Sequence, residues 1–107
     1  MQTIQLKKFG NVLVSRPAGL EAFNGIRPTL EQSTPVEIDF DDVLAVTPSW
    51  LDEFLTNLAE YMDGKVELLP TKNASVLAAL PVLGMAREDA VAEIVQRALK
   101  RMEEKST

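Results

Sequence analysis

Cysteine and histidine are both absent from this chain of 107 residues. A chain without them has no thiolate nucleophile, no imidazole base and no nitrogen–sulfur ligand set for zinc. Cys-His and Ser-His-Asp catalysis are therefore excluded, which favours recognition over catalysis. The lack of cysteine is also compatible with a reducing compartment.

Long apolar runs are missing as well. No run approaches the roughly 18 residues that a membrane span requires, and residues 1–14 have neither the basic start nor the apolar stretch of a signal peptide. We therefore expect a cytoplasmic protein that does not enter the membrane. The length corresponds to a single domain over residues 1–107.

Basic residues are absent from the middle of the chain. Between Pro28 and Gly64 there is no Lys or Arg but there are nine acids, and the formal net charge of the whole chain is -5. A surface of this sign repels phosphate backbones, so no nucleic-acid partner is expected. The simplest interpretation is a solvated acidic face that keeps a small domain soluble.

Alternating and helical patterns predict an α/β protein. The turn residues Phe9, Gly10 and Asn11 predict an N-terminal β-hairpin, and Thr47 and Pro48 predict the cap and first position of a central helix. The other elements expected are helices at 18–24, 49–62, 76–80 and about 87–105, and strands at 36–40 and 66–69. A strand–helix–strand unit over 36–69 joins parallel strands, so the sheet should be mixed, with helices packed on it.

The segment from Asp39 to Ser49 follows the central strand, at the sheet edge where α/β proteins usually bind ligands. Its acids Asp39, Asp41 and Asp42 superficially match the D-x-D pattern of haloacid-dehalogenase-type phosphatases. On that interpretation Asp39 would be a nucleophile, Asp41 a general acid, and oxygen ligands would hold Mg²⁺. The chain lacks the length and the second acidic pair of such enzymes, and the alternative is that these acids end the strand in a turn.

Ser49 lies in the first turn of the predicted central helix. Main-chain N–H groups and the helix dipole would stabilise a phosphate there. Phosphorylation changes the charge by roughly two units, which is enough to disrupt a docked partner. The alternative is an auxiliary cap facing Asp52, and the residue chemistry alone favours that alternative.

Three groups of residues resemble a known family. They are Ile38-Asp39-Phe40-x-x-Val43, Val46-Thr47-Pro48-Ser49-Trp50-Leu51-Asp52-Glu53-Phe54 and Ser15-Arg16-Pro17-Ala18-Gly19. Together they look like the STAS-like family of unknown function, which is similar to the STAS domains of anti-sigma-factor antagonists and of sulphate-transporter tails. The resemblance covers a core of about residues 9–83 and implies a single-domain STAS-like fold, to which the C-terminal helix is added.

The resemblance also implies a function. In the antagonists a D-S-S-G-L-like turn follows the strand, and a partner kinase phosphorylates its second serine, where this chain has Ser49. Thr47 stands at the aspartate, which removes a charge, and Trp50 stands at the glycine, which adds a large ring. The implied protein is a non-enzymatic regulatory module without a cofactor. Its implied partner is a signalling protein, such as a histidine-kinase-type ATPase or an anti-sigma-like factor.

The expected contact surface is the junction from Asp41 to Glu53. Its candidate contact residues are Asp41, Asp42, Thr47, Trp50, Asp52 and Glu53.

The placement of Trp50 and the oligomeric state stay open. Trp50, the only tryptophan, either packs in the core or faces a partner. The apolar stripe of the last helix, which includes Val91, Ile94 and Val95, covers the chain's own sheet in a monomer or packs against its copy in a homodimer. Arg16 is interpreted as a solvated or salt-bridged surface group rather than an anion ligand.

Overall fold

The structure, a computed structural model, describes residues 1–85 and 89–106, with side chains through residue 103. Within these ranges the strands are β1 Gln2–Gln5, β2 Val12–Leu13, β3 Val36–Asp39, β4 Ala45–Val46 and β5 Val66–Leu68. The helices are α1 Arg16–Ile26, α2 Pro48–Tyr61, α3 Ala74–Gly84 and α4 Ala90–Ser106, with 3₁₀ turns at Leu6–Phe9 and Arg27–Thr29. None of the helices in these ranges has the length and apolar character of a transmembrane segment.

Two small parallel sheets contain the strands. One sheet has the order β1-β3-β5, in which the buried side chains of Ile4, Ile38 and Leu68 lie side by side. The other sheet pairs β2 with β4, so that Leu13 lies beside Val46. The predicted α/β class is confirmed, and so is the parallel pairing of the two strands in the unit 36–69.

The predicted N-terminal hairpin is wrong. β1 pairs with β3 and β2 pairs with β4, both in parallel, so the Phe9-Gly10-Asn11 segment connects two different sheets. The alternation of apolar residues determines which face of a strand is buried, but it does not determine which strand pairs with it. All strand pairs within the described ranges are parallel, and the antiparallel pair that the hairpin would have added to a mixed sheet does not form there.

Three of the helices begin at a residue whose side chain caps the helix. Ser15, Thr47 and Asn73 cap α1, α2 and α3, and each side-chain oxygen accepts a hydrogen bond from the main-chain N–H three residues later. These bonds satisfy donors that have no partner within the helix. The predicted cap and extent of α2 are confirmed.

Two helices extend beyond their predicted bounds. α1 begins at Arg16 and continues through Gly25 to Ile26, and α3 continues through Pro81 to Gly84. Burial explains both extensions, because Ile26 and Leu83 are core residues that a shorter helix would leave outside. Packing of an apolar face contributes more to helix stability than local propensity does.

α4 places its apolar stripe against its own chain. Val91, Ile94 and Val95 are each no more than 2% exposed, and α4 packs against α2, α3 and β5. The stripe thus covers the chain's own core, as the monomer alternative predicts for this helix. The predicted start of the helix, near residue 87, lies outside the described residues.

α1 and α2 are in close contact at Gly19. A Cβ atom placed on Gly19 would overlap the main-chain carbonyl oxygen of Trp50 and would lie 3.3 Å from the Cβ of Glu53. Because glycine has no side chain, the backbone of α1 lies directly on the first turn of α2. This contact determines where the start of α2 sits.

Substituting the two glycines of α1 tests the contact. Gly19→Ala should lower the free energy of unfolding by about 1–3 kcal/mol, because the helices must separate to admit the methyl group. Gly25→Ala is the matched control, since no atom lies within 4 Å of its added Cβ. It should raise the same quantity by about 0.5–1 kcal/mol through better helix propensity. Urea unfolding measures both, and equal stabilisation by both variants would contradict the contact.

Candidate functional site

The acids Asp39, Asp41 and Asp42 form a turn at the carboxyl end of β3. Asp39 Oδ1 accepts a hydrogen bond of 2.9 Å from the main-chain N–H of Asp41, and Asp42 has a φ of 66°. Lys7 Nζ lies 3.3 Å from Asp42 Oδ2, and both side chains are exposed. Across the described ranges, no three acidic side chains are grouped so that they could hold a metal ion. The geometry supports the turn interpretation and gives no support to Mg²⁺-dependent phosphotransfer.

Ser49 is the second residue of α2 and is half-buried. Its Oγ lies 3.2 Å from Thr47 Oγ1, and Thr47 is the residue that caps the helix. The helix start is therefore capped without Ser49. Its hydroxyl lies where the unpaired N–H groups and the dipole of α2 favour negative charge.

Arg16 connects α1 to the first turn of α2. Its Nη1 lies 2.7 Å from Asp52 Oδ2 and 3.3 Å from Glu53 Oε2. The hydrogen bonds to Asp52 and Glu53 raise the pKa of Arg16 above its ordinary value. The salt-bridged role of Arg16 is confirmed. Two of the predicted partner-contact acids are thus held in ion pairs within the chain.

A shallow cavity of about 310 Å³ opens beside Ser49. Its walls are Arg16, Pro48, Ser49, Asp52, Val82 and Leu83. It therefore combines a hydroxyl, a guanidinium, a carboxylate and an apolar wall from the end of α3. A phosphate on Ser49 would be near the guanidinium and would compete with Asp52 for it.

Trp50 is a core residue. Its side chain is 1% exposed, it stacks on Phe54 with ring centroids 5.0 Å apart, and Phe9 lies 6.3 Å away. The partner-contact role predicted for Trp50 is wrong, because its ring has no accessible surface to offer. The four-residue spacing between Trp50 and Phe54 was the signal for this, since residues four apart share a helix face.

Asn73 and Ser75 hold the loop before α2 in place, a structural role that the sequence analysis missed. Ser75 Oγ accepts a hydrogen bond of 2.9 Å from the N–H of Val46 and donates one of 2.8 Å to its carbonyl oxygen. Asn73 Nδ2 donates to the carbonyl oxygen of Val43 at 2.6 Å. These bonds attach the start of α3 to the loop that leads into α2.

The burial of Trp50 can be tested in solution. Because its ring is enclosed by the core, its fluorescence should be blue-shifted and poorly quenched by iodide, a charged quencher that does not enter an apolar interior. The control is the same protein unfolded in urea, in which iodide should quench freely. Equal quenching in the folded and unfolded states would show that Trp50 faces solvent.

A family model matches the middle of the chain. The family model of the STAS-like domain of unknown function (DUF4325) matches residues 21–69, a segment that runs from the middle of α1 through β5 and includes all of α2. No curated protein and no solved structure matches the chain. The predicted resemblance is confirmed over residues 21–69, which are similar to the STAS-like domain of unknown function, and the match is shorter than the expected core of about residues 9–83.

Proposed function

We propose that this protein is a cytoplasmic, non-enzymatic regulatory module that binds another signalling protein through the start of α2 and is switched by phosphorylation of Ser49. The observation that carries the proposal is the position of the Ser49 hydroxyl at the first turn of α2, in a cavity it shares with Arg16. The STAS-like match supports a regulatory interaction role in general terms.

In the unmodified protein the ionised side chains near Ser49 carry a small net negative charge. Arg16 contributes one positive charge, and Asp52 and Glu53 contribute two negative charges within 3.3 Å of its guanidinium. A small surface of this kind suits a partner that presents polar groups and a short apolar segment, because Val82 supplies an exposed apolar wall. Asp41 and Asp42, which are exposed, extend the proposed surface.

A phosphate on Ser49 would make this net charge much more negative. It adds a charge of about -1.5 to -2 at the start of α2, where the helix dipole and the unpaired N–H groups stabilise it. The guanidinium of Arg16 has five N–H donors, so it can bond to the phosphate as well as to a carboxylate. The strongly negative surface that results would repel a partner that fits the unmodified one.

The proposed partner is a histidine-kinase-type ATPase or an anti-sigma-like factor. A kinase of that type would transfer the γ-phosphoryl group of ATP to Ser49 Oγ, which loses its proton, and ADP would leave. Trp50 takes no direct part in the proposed contact because its ring is buried. Thr47 takes a smaller part than the sequence indicated, because its hydroxyl already caps α2.

Replacing Ser49 with aspartate tests the switch. Ser49→Asp should weaken binding of the partner at least tenfold, about 1.4 kcal/mol. The free energy of unfolding should change by less than about 0.5 kcal/mol, because a favourable helix-dipole term offsets repulsion from Asp52 and Glu53. Partners captured from a lysate by wild type are purified and then titrated against each variant.

Ser33→Asp is the matched control, since Ser33 is an exposed serine in the loop before β3. It adds the same charge at another position and should leave partner binding unchanged. Equal affinity of wild type and Ser49→Asp for the purified partner would contradict the proposed phosphorylation switch. A loss of binding in both variants would show that total charge, rather than the start of α2, controls the interaction.

A further inference from the structure

β2 has one edge that no strand covers within the described ranges. The carbonyl oxygens of Asn11 and Leu13 face β4, because they accept hydrogen bonds from main-chain N–H groups in residues 44–47. Main-chain groups alternate from side to side along a strand. The N–H and C=O groups of Val12 and Val14 therefore point away from β4, towards the side on which no strand pairs with β2.

Two other strand edges, those of β4 and β5, are closed by side chains. On the outer edge of β4, Ser75 bonds to both main-chain polar groups of Val46. On β5, Arg97 Nη2 donates a hydrogen bond of 3.0 Å to the carbonyl oxygen of Val66. These side chains take the place of a further strand. The edge at Val12 and Val14 differs from these two because no side chain in the described ranges bonds to it.

The open edge also lacks two of the features that hinder strand pairing between molecules. From Phe9 to Ser15 there is no charged residue and no proline. Val12 is 54% exposed and Val14 is 46% exposed. A groove of about 630 Å³ runs between this edge and α1, and Glu21 is the one charged residue among those that line it.

We propose that the open edge of β2 binds the same edge of a second copy of this chain. The two β2 strands would run antiparallel about a twofold axis at Leu13. Val12 of one copy would then lie opposite Val14 of the other, and each such pair would exchange two N–H···O=C bonds. Both pairs together would satisfy every outward-facing main-chain group of Val12 and Val14. The result is a four-stranded sheet with the order β4-β2-β2-β4.

A second copy suits this edge for two reasons. The edge is self-complementary, as a twofold contact between identical subunits requires. Two copies that each carry a formal charge of -5 repel each other least where both surfaces are uncharged, and the segment Phe9–Ser15 has no charge. The groove shares no lining residue with the cavity at Ser49, so the pairing does not depend on the proposed switch.

Light scattering during size-exclusion chromatography tests the pairing. The wild-type mass should rise with concentration from 11.8 kDa towards twice that value. Val12→Lys should weaken dimerisation at least tenfold, because it places a charge on the paired edge. Val82→Lys is the matched control: it replaces the same residue type at the same exposure of 54%, on α3, and should leave dimerisation unchanged.

Hydrogen exchange of wild type gives a second readout that does not depend on a variant. The amides of Val12 and Val14 should exchange more slowly as the concentration rises, since they become hydrogen-bonded only in the dimer. Three results would overturn the proposal. They are a monomer at all concentrations up to about 1 mM, a dimer that Val12→Lys leaves intact, and a dimer in which these two amides exchange as in the monomer.

Discussion

The contact between Gly19 and the main chain of Trp50 is the constraint on which the start of α2 depends. Because α1 lies against this turn without an intervening side chain, Arg16, one turn earlier on α1, reaches both Asp52 and Glu53. On the same turn of α2 the indole of Trp50 packs on Phe54. The missing side chain at Gly19 thus lets α1 bring a guanidinium to the acids beside Ser49.

The sequence predicted correctly those elements that depend on interactions between neighbouring residues. Thr47 and Pro48 indicate the start of α2 correctly because capping depends on neighbouring residues alone. The alternation of Val36 and Ile38 likewise predicts β3, since both side chains are buried. The pairing of strands is not local, and the hairpin was therefore wrongly predicted. β4 has only two residues, and its main-chain partners lie in β2 and at Ser75, so no nearby residue indicated it.

The acidic stretch in the sequence does not correspond to an equally acidic surface in the folded chain. Residues 28–64 contain no base, which predicts a strongly negative surface. In the folded chain Lys7 and Arg16, both from the N-terminal segment, lie within 3.3 Å of Asp42, Asp52 and Glu53. Bases distant in sequence thus offset part of the local field. Counting charges along the chain overestimates the field that a partner meets at this surface.

α3 explains why the proposed switch acts through charge rather than through a change in shape. The start of α3 is tied by Asn73 and Ser75 to the loop before α2, and its far end supplies Val82 and Leu83 to the cavity at Ser49. α1 holds the opposite side of α2 through Arg16 and Gly19. A turn held from both sides has little freedom to move when a phosphate is added. The proposed signal is therefore a change in surface potential on a fixed scaffold, which a partner would detect as repulsion.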